Sequence, residues 1–248
     1  ENVGIGETSP ARFLHVKDPT GGNIVAFFES ADANGSLSIG DNSGSVNVES
    51  DAGAMVLNVN GNTSNGGGNT EALRINTNGN VGIGVVPEAW SSNNPALQIG
   101  SGGVLYSHVS NGTRVSLQGN AYVNSSNADA YITTNEASQH IQEDGTHLFK
   151  VAPSGTADSA ISWTTGFEVL ADGKARAKNG LLFGTDTAAA NTLDDYETGT
   201  FIPTVRGSTN AGSFSTNTAH EGLYTKIGNV CTVNFRIAGT LSGATGSY

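Results

Sequence analysis

The chain has 248 residues and a formal net charge of −11, and Gly, Asn, Ser and Thr (34, 26, 25 and 25 residues) make up 44% of it. Charged residues are 13%, about half the roughly 25% of ordinary soluble domains, while Leu, Ile, Val and Phe together reach 22%, just above the roughly 20% below which chains tend to stay disordered. This composition argues against a compact helical enzyme with one deep core and points to thin, repetitive β-structure.

The partners are bounded in the same way. A pI of about 4.7 offers no basic stripe for phosphates, which argues against nucleic acid. No run of 18 apolar residues occurs, so no membrane insertion is expected. The opening ENVGIGETSP lacks the basic start and apolar run of a signal peptide. The single Cys excludes a disulfide framework within one chain and a multi-Cys zinc site.

Along the chain, the first element is a phrase that occurs twice. Asn2-Val3-Gly4-Ile5-Gly6 is followed by Pro10, Leu14 and Val16, and Asn80-Val81-Gly82-Ile83-Gly84 by Pro87, Leu97 and Ile99. Each copy reads as a strand with period-two alternation, a break at Pro, and a second alternating pair. The intervening Gly leaves room for another backbone to approach closely. Val3, Ile5, Val81 and Ile83 are therefore expected to face the interior between chains. Short strands are predicted around Leu37 and Ile39, Val46 and Val48, Leu57 and Val59, and Leu73 and Ile75, separated by Asn/Gly turns. Asn65–Asn69 reads as a linker. Strands this short bury too little singly and must stack, along one chain or between chains.

The middle third continues with alternation at Val115 and Leu117, Phe149 and Val151, and Phe167 and Val169. Ala128–Glu143 carries conflicting signals, a short helix against the strand-favouring Ile132-Thr133-Thr134. Phe167–Ala177 reads as strand, Asp172-Gly173 turn, strand. From about residue 191 the composition changes. Leu193–Val205 gives an acidic cluster and an extended strand, and Gly222–Val230 leads into Cys231, Val233, Phe235 and Ile237 in one phase, the expected core of a sandwich-type head. The expected division is 1–100 repetitive shaft, 101–190 β-rich intermediate region, and 191–248 the opening of a head, so the chain reads as a section of a longer protein.

Two segments, the GNVGIG…P…L-x-V phrase and LDDYETGTFIPTV with GLYTKIGNVCTVNF, are similar to tail fibre and tailspike-like proteins of tailed bacteriophages. They cover roughly a quarter of the chain. The resemblance implies an all-β, elongated, fibrous homotrimer. Short stacked strands would form its shaft, and a β-sandwich head would follow. It implies a virion tail location outside the cell, contacts with other tail proteins, and attachment to a host surface glycan or outer-membrane protein. Neither motif is enzymatic, so no catalytic residue is carried over.

The Gly-Ile-Gly turns lack the third Gly and the helix of a dinucleotide site. Paired acids of a glycosidase would come from Glu29 with Asp32, Glu49 with Asp51, Glu143 with Asp144, or Asp194, Asp195 and Glu197; solvated acids are the favoured reading. His15, His108, His140, His147 and His220 form no zinc spacing within one chain, and Asp41-Asn42-Ser43 lacks the calcium-loop pattern. A metal on a trimer axis stays open, and no cofactor is expected. Cys231 reads as a small core residue. Trp90 and Trp163 read as covers for a thin β-stack rather than sugar platforms. The sequons at Asn62, Asn111 and Asn124 are those expected from composition. A polysaccharide-cleaving tailspike and a bacterial trimeric adhesin are the competing readings.

Overall fold

The structure, a computed structural model, describes residues 3–5, 8, 9, 12, 14–16, 28–31, 33–61, 69–185, 187–216 and 221–246. The linker at 65–68 and the sequon at Asn62 lie outside them, as do Asp32, His220 and the His15 side chain. The fold is all-β, with no α-helix among the described residues and one 3₁₀ turn at Ala189–Asn191. Two compact units divide between Lys174 and Ala175.

In the first unit, β1 (Val3–Ile5) pairs with β2 (Leu14–Val16) in parallel. A large sheet then begins with β3 (Asn34–Gly40), β4 (Ser45–Asp51), β5 (Ala54–Gly61), β6 (Thr70–Ile75) and β7 (Val81–Ile83), each antiparallel to the last. β8 (Ala96–Ile99) lies parallel to β7, Val81 opposite Leu97 and Ile83 opposite Ile99. Both copies of the repeated phrase thus form the same parallel pair. The sheet continues antiparallel through β9 (Gly103–His108), β10 (Asn111–Gly119), β13 (Asn135–Glu143), β14 (Thr146–Gly155) and β15 (Thr164–Val169). Because β8 pairs with β9, this sheet crosses the boundary expected at residue 100. The segment Ala128–Glu143 resolves to strand in both of its regular parts.

Between β10 and β13 the chain leaves the sheet as a hairpin, β11 (Ala121–Val123) and β12 (Asp129–Tyr131). This hairpin and the 84–95 segment after β7 supply the cover for one sheet face. Trp90, Tyr122, Val123 and Ala130 form one buried cluster with Ala96, Val104 and Tyr106 of the sheet. Ala121 and Tyr131 form another with Ala137 and Ala152. Trp90 is 3% exposed and Trp163 packs against the second cluster, so both tryptophans act as covers. The burial follows phase: Ala96 opposes Tyr106, and Tyr106 opposes Ser116. Polar residues share this covered face, and Gln98 and Ser116 are fully buried.

Gly82 shows why the phrase needs its glycine. A Cβ there would stand 2.1 Å from the Val85 carbonyl oxygen and 2.9 Å from Pro87 Cδ. The close approach expected from the sequence is made by the same chain a few residues on, where it turns at Gly84 (φ +65°).

The second unit has β16 (Ala175–Ala177) and a three-stranded antiparallel sheet in the order β17 (Tyr196–Phe201), β19 (Gly222–Ile227), β20 (Val230–Phe235). Beside it stands the pair β18 (Ser213–Thr216) and β21 (Gly239–Ser242). The expected alternation at Cys231, Val233 and Phe235 holds, but these residues do not form a core among the described residues. Cys231 is exposed, Val233 is 51% and Phe235 53% exposed, and Ile237, beyond the strand, is half-buried. Among the described residues no second layer lies over that phase. Glycines opposite aromatic residues organise the surface instead: Tyr224 lies over Gly199 and Phe201 over Gly222, so that a Cβ on either glycine would meet the ring.

Candidate functional site

The uncovered face of the first-unit sheet is the most unusual feature of the chain. Cross-strand register places apolar residues directly opposite one another from strand to strand. One row runs Leu37, Val48, Leu57, Leu73, Ile83, Ile99. The adjoining row runs Met55, Ile75, Val81, Leu97, Leu105, Leu117 and then His140, Phe149, Phe167. Directly opposed pairs are the unit that stabilises a sheet, yet many of them stay exposed on this face; among the described residues, Phe28, Glu29 and Ser30 adjoin it at Leu37, Val48 and Met55. Leu105 is 45%, Leu117 58% and Phe149 44% exposed.

Two bulges keep the rows free of charge. Leu57 opposes Leu73 while Asn58 opposes Glu71, so Ala72 is an extra residue in β6. That slip turns Glu71 to the covered face, where Arg74 bonds to both Glu71 and Asp51 and is held more firmly protonated by those bonds. A second slip makes Gly166 the extra residue in β15 and keeps Phe167 opposite Phe149. The result is an inversion of the usual partition, with glutamine and serine buried within the chain and leucine and phenylalanine outside.

The four residues expected between chains are placed unevenly. Val81 and Ile83 stand in the two rows, Val81 half-buried and Ile83 42% exposed. Val3 and Ile5 are exposed on the separate β1–β2 pair. Of the candidate carboxylates, Glu29 and Glu49 line one open pocket, and Asp51, Asp144, Asp195 and Glu197 are held by separate partners. Glu49 accepts a bond from Asn58 at 2.7 Å, Asp51 binds Arg74, and Asp144 accepts from Thr113 at 2.7 Å. In the second unit Asp195 pairs with Lys226 and Glu197 accepts from Tyr224. The Asp41 carboxyl is held below its ordinary range by the backbone N–H groups of Ser43 and Gly44. Among the described residues, no group of three or more His, Cys, Asp or Glu could hold a metal ion.

Sequence reading missed one arrangement. His140 Nε2 and His147 Nδ1 are 3.2 Å apart, and the His140 ring lies 4.4 Å from that of Phe149 with planes 6° apart. In the string Ser138-Gln139-His140-Ile141-Gln142 the only apolar residue is Ile141, which points to the covered face. Only the register from β10 and β14 reveals His140 as a member of the apolar row.

No family model matches the chain, and no curated protein matches it.

Proposed function

We propose that this chain is a structural section of a phage tail fibre that assembles as a homotrimer and serves attachment to the host surface. The observation that carries the reading is the pair of opposed apolar rows, which together run from β3 to β15, on a sheet whose other face the chain covers in its middle strands. Exposed apolar surface of this extent marks an interaction site, and copies of the same chain suit it. The twice-formed parallel pair and the phage-like head motif support the same reading. Three equal tips engaging repeated surface glycans or outer-membrane proteins would convert weak contacts into avidity, and the remaining contacts would be with other virion tail proteins.

The test is native mass spectrometry of the chain and of Ile83→Asp. A trimer is expected for the parent. The variant should be a monomer, since an unpaired charge in a dry contact costs several kcal/mol per chain. A parent chain that is monomeric at micromolar concentration would overturn the reading. Adsorption competition then tests attachment: the chain should block phage uptake by its host, and a version ending near Asn191 should not.

A further inference from the structure

His140 is the one titratable member of the long row. The residues opposite it are Leu117 on β10 and Phe149 on β14, with Phe167 of β15 beyond. Ser138 and Gln142 share its phase on β13, and Val169 stands opposite His147. Of the charged residues of the same strands, Glu136 shares the phase of His140 on β13 and is exposed, while Arg114, Glu143, Lys150 and Glu168 hold the opposite phase. Asp144, in the turn, is bonded to Thr113. The 3.2 Å contact between His140 and His147 needs one nitrogen bearing a hydrogen and one bare. Two imidazolium rings would set N–H against N–H and bring like charges together. The surface here is an open groove of about 590 Å³ lined by Leu117, His140, Phe149, Val151 and Phe167, with Lys150 also in its lining.

We propose that the His140–His147 pair is an acid-sensitive latch in the contact between copies of this chain. The inference rests on the reading above, that copies meet through this face. A second copy is the occupant for two reasons. The opposed rows carry no formal charge in a chain of net charge −11, and on β13 only Glu136 adds one to their face, so like chains meet along the rows with little repulsion. Thirteen large apolar side chains of the face are exposed and present on the order of 1,000 Å², above the roughly 800 Å² per partner of a specific interface. When at most one proton is shared, each pair adds at most one charge to the contact. Histidine changes charge between about pH 5 and 8. Protonation is easier on the free, hydrated face than in the buried contact, so assembly is complete at high pH and is lost as pH falls through the imidazole range.

The experiment measures the dissociation constant of the full chain by analytical ultracentrifugation from pH 8 to pH 5, beside the double variant His140→Gln/His147→Gln. The parent should dissociate at least a hundredfold more readily at pH 5, with uptake of about one proton per chain, and the double variant should lose that dependence. If the double variant fails to assemble at pH 8, the slope of the parent's dissociation constant against pH decides alone. A parent equally assembled at both pH values overturns the latch and leaves the assembly reading standing. A parent monomeric at pH 8 overturns both. Dissociation by a chelator at pH 8 would assign the pair to a bound metal and overturn the latch.

Discussion

The two units treat the same alternating sequence differently. In the first, Ala96, Val104 and Tyr106 are buried because the chain returns across them with Trp90 and the β11–β12 hairpin. In the second, Cys231, Val233 and Phe235 alternate just as regularly and remain exposed, because among the described residues no segment crosses that phase. Alternation therefore sets which residues share a face, while connectivity decides whether the face is covered.

The sharpest way to break this contrast is to truncate one side chain in each unit. Trp90→Ala should destabilise the first unit by about 3–5 kcal/mol, read from the denaturant midpoint. Val233→Ala, on an uncovered strand, should cost less than about 1 kcal/mol because so little burial is lost. Equal costs would show that the second-unit face is covered after all. A smaller effect separates two glycines. Gly82→Ala must push the Val85–Pro87 backbone aside and should cost about 1–3 kcal/mol. Gly166→Ala meets nothing within 4 Å and should leave the midpoint within about 1 kcal/mol of the parent.

The mildest test concerns alkali. Burial, with the Tyr122 hydroxyl donating to Asp158 at 2.8 Å, pushes the tyrosine up to about 12 from its ordinary 10. A raised folded-state value means the stabilisation is complete below pH 10 and disappears as pH rises towards 12. Tyr122→Phe should remove that part of the alkaline unfolding slope while the second unit, followed through Trp-free probes on β17–β20, keeps its own.

Much of the strand pattern was legible locally. The paired phrases gave β1, β2, β7 and β8, and the alternations at Leu37, Val46, Leu57 and Leu73 fell in β3 to β6. The parallel pairing of β7 with β8 was not, since a partner strand across the twelve residues 84–95 is a matter of connection rather than composition. The direction of burial was also hidden. Alternation did not show which phase the chain itself would cover: Ser116 and Gln98 are buried while Leu117 and Leu105 are exposed. Several strands carry apolar residues in both phases, as β9 does with Val104 and Tyr106 against Leu105, so there only the returning segments decide. His140 escaped notice for the same reason, because its neighbours lie on strands far away in sequence.

The parallel step at β7–β8 carries a consequence for how such a chain can change length. After β7 the 84–95 segment returns to the starting end before β8 begins, so strand direction is restored and its own lid is laid down in the same stroke. A phrase of this kind is a self-contained stitch. Duplicating or deleting whole stitches would keep every later residue on its original side of the cloth, whereas removing a single residue inside one would turn all the following strands over. Recombination between related genes at these phrases would therefore give longer or shorter products with the apolar face unbroken.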